Sequence, residues 1–260
     1  MWITCDPVNV AFGPVTTSTT NLQNVSTNYG GPRLMETETV QNFPYGYKVR
    51  AFDNLLGFGE FIYLQGVAST VAGSAVTYNP FTGVTTLDAA TANDGSPIAF
   101  AVAPTVAALF GWYQVSGTAI AANNATAAAG NAFRKATGQI GSAAVAGTQI
   151  LGGAKILTAN GSTFTKTGTT RNGSTEVFFS NLDGVFVGCP VSGTGIPGST
   201  VVAAGYNNSP NSRNSSAGSA TGLIMNNAAT ADGTVTVTFT RTNFSLLSGT
   251  GGFYGQGQII

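Results

Sequence analysis

A glycine motif in the second half of the chain is the first candidate for ligand chemistry. Residues 193–198, GTGIPG, match the pattern G-x-G-x-x-G, which in nucleotide sites opens a helix whose backbone N–H groups hold a pyrophosphate. Pro197 lacks that N–H, and the residues after it, Ser199–Ala203, have the composition of a strand. The motif therefore predicts a β-turn and not a nucleotide site.

Few residues of the sequence are candidates for acid–base catalysis or metal binding. Histidine is absent, which removes the commonest general base and a frequent zinc ligand. Glu36 and Glu38 lie close together, but a solvated or salt-paired role is favoured over a catalytic carboxylate pair. The Asp-Gly pairs lack the spaced acidic ligands of a calcium loop and predict turns. We expect no enzymatic activity, no metal and no cofactor.

Two cysteines, Cys5 and Cys189, are far apart in the chain. Two cysteines do not make a disulfide framework, so two reduced thiols are favoured over a single disulfide.

Charge is scarce along the whole chain of 260 residues. Charged residues make up 8% of it, against about 25% in an average soluble domain. Ten basic and ten acidic residues cancel, so no overall field attracts nucleic acid or an anionic membrane. The apolar stretch 98–113 is shorter than the roughly 20 residues of a membrane helix and is interrupted by Pro104. The composition favours a protein that contacts other proteins.

Turn residues and short apolar runs predict an all-β fold. We expect a small β-barrel or sandwich body with an extended N-terminal arm and a second, small antiparallel β-sandwich module. The predicted parts are an arm over 1–55, a barrel-like domain over 56–155, the second module over 156–243 and a Gly-rich tail over 244–260.

Residues 1–55 are broken by four prolines yet carry many aromatic residues, which disordered linkers usually lack. Such an arm either lies on a neighbouring molecule or packs back on its own domain, and the sequence leaves both open. If it binds a partner, the contact residues are its aromatic residues and a small basic cluster: Trp2, Phe12, Tyr29, Arg33, Phe43, Tyr45, Tyr47, Lys48 and Arg50.

Two predicted strands differ in how they face solvent. Thr234–Thr240, TVTVTFT, alternates and predicts a strand with one buried face. In residues 59–67, GEFIYLQGV, Phe61 and Tyr63 point to one side while Ile62 and Leu64 point to the other. Both faces are thus apolar, and the second is covered by a neighbouring subunit or by another layer of the fold.

The segments FIYLQGVASTVAGSAVTYNPFTGVTTLDA and GSPIAFAVAPTVAALFGWYQVSGTAIA resemble the head decoration, or capsid cement, proteins of tailed bacteriophages. The resemblance covers roughly residues 58–122. The stretch GVFVGCPVSGTGIPGSTVVAAG is similar to a small β module of phage virion proteins. The family likeness implies a barrel-like body, a place on the outer surface of the capsid, frequent homotrimers and no catalysis.

The resemblance makes a virion structural protein the leading functional prediction. It implies that the chain binds the major capsid protein, bridges adjacent subunits and stabilises the head against the pressure of packed DNA, with no nucleic-acid or membrane partner. The alternatives are a phage tail or fibre component and a carbohydrate-binding adhesin, in which the second module contacts a host surface glycan.

Overall fold

The computed structural model describes residues 3–4, 34–53, 56–89, 96–123, 127–142, 150–182, 184–206 and 221–256. These residues form strands and turns with a single short 3₁₀ turn at Ala136–Gly138. The all-β prediction is confirmed: the strands build a large curled sheet and a closed six-stranded barrel.

Twelve strands of the described residues belong to the large sheet. They are β1 (Ile3–Thr4), β2 (Thr37–Glu38), β3 (Lys48–Asp53), β4 (Gly57–Gln65), β5 (Ala75–Tyr78), β6 (Thr85–Leu87), β7 (Pro97–Ala101), β8 (Phe110–Ala122), β9 (Gly130–Lys135), β10 (Gln139–Gly141), β11 (Ile150–Ile156) and β18 (Phe244–Gln256).

The large sheet runs in the order β1-β3-β4-β8-β7-β18-β11-β9-β10, with β2 paired to β8 and the β5–β6 hairpin paired to β7. All of its ladders are antiparallel. A parallel bridge between Asn123 and Ile140 brings β10 back against the end of β8. The second half of the sheet therefore curls on itself.

Strand β8 links the two halves of this sheet. Its first half pairs with β4, and its second half pairs with β18. Gly117 lies inside this one long strand and has a φ of 91°. A Cβ at this glycine would lie 2.2 Å from the carbonyl oxygen of Phe58, so only glycine allows the two backbones this close.

Both apolar faces of β4 are covered by the chain itself. Phe61 and Tyr63 pack with Trp112 and residues from 34–51, whereas Ile62 and Leu64 pack with residues of β5, β7 and β8. All four β4 side chains are fully buried. The second face is thus covered by another layer of the fold, and no neighbouring subunit is needed to explain it.

The barrel follows the order β12-β13-β16-β15-β14-β17. Its strands are β12 (Thr163–Thr170), β13 (Glu176–Phe179), β14 (Pro190–Ser192), β15 (Thr200–Tyr206), β16 (Thr221–Met225) and β17 (Gly233–Thr240). In β17, Val237 and Phe239 are buried while Thr234 and Thr236 are exposed, which confirms the one-sided strand. Asn172-Gly173 makes the tight β12–β13 turn, with φ of 76° at Gly173.

The large sheet includes residues that the sequence analysis assigned to the arm and to the tail. Residues 34–53, assigned to the arm, supply β2, β3 and buried core side chains. Residues 244–256, assigned to the tail, form β18, which pairs with β7, β8 and β11. The glycine-rich sequence of β18 shows no alternation of apolar and polar residues that would predict a strand. Hydrogen bonds to the strands on both sides define it as one.

The barrel and the large sheet meet through a few specific contacts. The backbone N–H of Gly184 donates to Asp53 Oδ2 at 3.3 Å, and the rings of Phe186 and Phe244 pack edge to face at 4.7 Å. Ile120 of β8 packs against the apolar interior of the barrel.

Candidate interaction surface

The predicted contact residues divide into three groups. Trp2, Phe12, Tyr29 and Arg33 lie outside the described residues. Phe43, Tyr45 and Tyr47 pack within the large sheet, and Lys48 and Arg50 are exposed on β3. The structure therefore brings together only the last five of these residues.

Phe43 is buried in the protein's own core. Its ring lies 5.2 Å from those of Tyr63 and Trp112 and stacks on Tyr47 at 5.7 Å. Such aromatic contacts stabilise a core beyond the area they bury. The aromatic surface of Phe43 is used within the chain, so this residue is not available to a partner.

Tyr45 holds a surface turn in place. Its ring stacks on Phe110 at 6.1 Å, and it lies directly over Gly83, where a Cβ would be 2.1 Å from Tyr45 Cδ1. The turn over residues 79–84 is thereby pressed against the sheet.

Lys48 and Arg50 lie on the same face of β3, which is near the edge of the large sheet. Lys48 Nζ is 3.8 Å from Glu60 Oε2, with both side chains partly exposed. The described part of β1 pairs only with Ala51 and Phe52. Charged residues on an edge strand discourage pairing with stray strands, and the same positions can meet acidic groups of a partner.

Glu38 has a structural role. Its carboxylate accepts a hydrogen bond from the hydroxyl of Tyr63, and the backbone N–H of Asn42 donates to that hydroxyl at 3.2 Å. Burial, and then the bond to Glu38, raise the pKa of Tyr63 well above its ordinary value, so the phenol stays a proton donor. These bonds fasten residues 38–42 to β4.

The glycine motif is a turn, as predicted. The N–H of Ile196 donates to the carbonyl of Gly193 at 3.1 Å, and strand β15 begins at Thr200. No helix follows the motif, so the backbone N–H groups that would hold a pyrophosphate are not assembled there.

Cys189 is a free, fully buried thiol in the barrel. Burial raises its pKa to about 12, an effect that nearby Arg241 only partly offsets. A thiol that stays protonated is a weak nucleophile. Cys5 lies outside the described residues.

Arg241 is a buried cation that no sequence pattern predicts. Its guanidinium lies 4.4 Å above the ring of Phe164, and Nη1 donates weakly to Ser162 Oγ at 3.4 Å. Its Nε has no hydrogen-bond partner among the residues that the structure describes. Burial lowers the pKa of Arg241.

The part of the chain that the structure describes contains no cluster of three or more potential metal ligands. None of the helices in that part has the length and apolarity to cross a membrane. A cavity between the sheet and the barrel, lined by Met35, Phe100 and Phe186 among others, measures about 20 Å³. That is room for about one water molecule, far below the roughly 300 Å³ of a small ligand pocket.

Three phenylalanines of the barrel region offer little exposed ring surface for a sugar. Phe179 and Phe186 are buried, and the half-buried ring of Phe178 has the guanidinium of Arg171 at 5.6 Å from its centroid.

Exposed apolar side chains gather at one end of the large sheet. We call this the loop end and define it as residues 39–47, 79–84 and 104–109. It carries four large apolar side chains that are each more than a third exposed: Val40 at 67%, Phe81 at 91%, Val84 at 54% and Val106 at 38%.

Backbone contacts hold the three segments of the loop end together. Gln65 N–H donates to Gly83 O at 3.0 Å, and Gly66 N–H donates to Leu109 O at 2.8 Å. Gly46 lies so close to Pro80 that a Cβ would be 2.4 Å from the Pro80 carbonyl oxygen. The loop end also contains no charged residue. It is a packed, uncharged and partly apolar surface.

The sequence alone did not reveal this surface. NPFTG reads as a turn, but whether Phe81 folds inward or outward depends on tertiary contacts. A comparison with protein-family models, with curated proteins and with solved structures finds no match to this chain.

Proposed function

We propose that the chain is a non-enzymatic structural protein of a phage virion, which binds the outer surface of the capsid and bridges adjacent major capsid subunits. Its role is to stabilise the head against the pressure of the DNA inside. The proposal rests on the resemblance of residues 58–122 to head decoration proteins together with the surface that those residues form.

The loop end is the observation that carries the proposal. A turn and a loop of the region that resembles decoration proteins project from strands with fully buried side chains and expose uncharged apolar groups. Apolar surface on a rigid scaffold suits a permanent protein contact, because burying it contributes roughly 25 cal/mol per Å² before the costs of association. When one assembly makes several such contacts, the first contact raises the effective concentration for the others, so the overall affinity exceeds that of any single contact.

A bridge between shell subunits needs more than one contact. Lys48 and Arg50 of β3, which lies next to the edge strand β1, supply a second, basic surface. Residues 5–33 follow β1 in the sequence, and Phe12 and Tyr29 of the predicted arm lie among them. We propose that the loop end and the β3 edge contact different shell subunits.

The homotrimer is part of the same proposal, and it rests on the resemblance alone. Because both faces of β4 are covered within the chain, an apolar strand face no longer argues for it. Sedimentation of the purified chain at micromolar concentration tests the trimer. If the chain sediments as a monomer and also binds heads as a monomer, the homotrimer proposal is wrong.

The direct test is binding of the purified full chain to heads prepared without it. The proposal expects saturable binding to the outside of the head and a higher force or temperature for head rupture. Binding to tails or fibres, or to host polysaccharide with none to heads, would instead favour the alternatives.

A further inference from the structure

The tip of the β5–β6 hairpin carries an unusually exposed aromatic side chain. Phe81 has 91% of its surface open to solvent, and Val84 of the same turn is 54% exposed. Phenylalanine buries about 150–250 Å² when it is covered. Covering the ring with a partner would gain a large part of that hydrophobic contribution, so Phe81 is the largest apolar contact that the loop end offers.

The turn that presents Phe81 is built to be rigid. Asn79 Oδ1 accepts hydrogen bonds from the N–H groups of Phe81 at 2.9 Å and Thr82 at 3.2 Å. Asn79 N–H also donates to Val84 O at 3.0 Å, and Gly83 N–H donates to Asn79 O at 2.9 Å. A rigid aromatic residue loses little conformational freedom when it binds, so more of its contact energy becomes affinity.

The surroundings of Phe81 restrict what can cover it. No charged residue occurs in 61–87 or 96–133, which include β4 from Phe61 onward and strands β5–β8. Anionic membranes and nucleic acids are bound largely through Lys and Arg, and this surface has none. A partner must itself be uncharged and apolar at the contact, since a charged group buried against this end would have no counter-charge.

The cavity beside Phe100 and Phe186 cannot hold the ring of a second copy, because it measures about 20 Å³ whereas cavities that bind benzene are about 150 Å³. Within the proposed function the complement is an apolar pocket of a shell protein, and pairing between two copies of this chain is an outcome that the test distinguishes.

We propose that Phe81 is the anchor residue of the loop end and that it inserts into an uncharged, apolar pocket of a shell protein. This rests on the proposed function and names the contact within it. Tyr45 and Gly83 hold the turn that carries Phe81, and Val84 contacts the rim of the partner's pocket.

The test uses full-length chain, labelled on its surface, and heads prepared without it. Binding is titrated for the wild type, Phe81→Ser and Phe81→Leu, with Leu157→Ser as the control. Leu157 is also exposed, at 48%, but it follows β11 and its N–H donates to Leu246 O, away from both proposed contact surfaces. An anchor of hot-spot strength predicts that Phe81→Ser raises the Kd by about 30-fold or more. We expect Phe81→Leu to lose less, and Leu157→Ser to stay within about twofold of the wild type.

Each other outcome overturns the inference and says which part fails. If the wild type binds heads and Phe81→Ser, shown to be folded by an unchanged melting temperature, binds equally well, the anchor is wrong while the proposed function stands. If the wild type does not bind heads, the proposed function fails and the anchor with it. If Phe81→Ser instead changes sedimentation of the free chain, or binding to anionic vesicles, the ring is covered by a second copy or by a membrane.

Discussion

Arg134 and Asp88 form a buried ion pair that ties β9 to the segment after β6. Arg134 Nε lies 3.0 Å and 2.9 Å from the two carboxylate oxygens of Asp88, and Nη2 bonds the same carboxylate. Both side chains are almost fully buried. The pair joins two parts of the large sheet that are 46 residues apart in sequence.

Removing one partner of this pair should cost far more than removing an exposed charge. Asp88→Ala leaves the Arg134 cation buried without its carboxylate, and we expect a loss of about 3–5 kcal/mol in the free energy of unfolding. Glu60→Ala breaks the exposed Lys48–Glu60 contact and should cost about 0–1 kcal/mol. Denaturant unfolding of both variants measures the difference. If Asp88→Ala lowered the free energy of unfolding no more than Glu60→Ala does, the buried pair would contribute little to stability.

The bond between Tyr63 and Glu38 should hold the segment 38–42 against the sheet. Tyr63→Phe removes the donor to Glu38 and the acceptor of Asn42 N–H, so we expect a loss of about 1–3 kcal/mol. Amide hydrogen exchange should speed up in residues 38–43 more than elsewhere. Tyr78→Phe is the control, since Tyr78 makes no described hydrogen bond through its hydroxyl, and should leave that segment unchanged. If amide exchange in residues 38–43 were the same in Tyr63→Phe and Tyr78→Phe, the role given to the Tyr63–Glu38 bond would be contradicted.

Stability should fall at alkaline pH. Burial raises the pKa of Cys189 to about 12 from 9.0, and that of Tyr113 to about 12 from 10.0. Below pH 9 both groups are protonated in the folded and unfolded chain, so they do not change stability. Between about pH 9 and pH 12 the unfolded chain loses these protons while the folded chain keeps them, which favours unfolding. Melting temperatures at pH 8 and pH 11 test this, and Cys189→Ala should reduce the drop.

Gly66 should not tolerate a side chain. A Cβ there would lie 2.0 Å from the carbonyl oxygen of Thr105 and 2.3 Å from that of Val106. Gly66→Ala must displace the 104–109 loop, at a cost of about 1–3 kcal/mol. At Gly198 a Cβ meets nothing within 4 Å, so Gly198→Ala is the matched control. A stable Gly66→Ala variant would show that the loop end is loosely held.

Salt should have little effect on binding to heads. The loop end has no charge, and apolar contacts do not weaken with added NaCl, whereas exposed ion pairs are screened. We expect the amount of protein released from particles to change little across an NaCl series. Extensive release at moderate salt would show that charge dominates, and if Lys48→Ala and Arg50→Ala reproduced it, the basic edge of β3 would be the main contact.

Local sequence patterns predicted much of the fold. The run TVTVTFT marks a strand and Asn172-Gly173 marks the β12–β13 hairpin, because both signals lie within a few residues. Asn160-Gly161 marks a turn, but the strands on either side of it belong to different sheets. The two-sided β4 was also visible, but what covers its second face was not, because that depends on strands far away in the sequence.

The parts that the sequence did not predict depend on long-range partners. Strand β18 is rich in glycine, and only its ladders with β7, β8 and β11 make it a strand. Arg134 and Arg241 are both buried, and nothing in their sequence neighbourhood indicates it, because charged residues usually lie at the surface. The loop end was missed for a similar reason, because a turn sequence does not say whether Phe81 points inward or outward.

Location on the particle is the most direct test of the proposed function. Electron cryomicroscopy of virions that contain the chain should show the large sheet on the outer surface of the head, between adjacent shell subunits, with the Phe81 turn seated in one of them. Density for the chain on the tail, on a fibre or on the inner side of the shell would contradict the account.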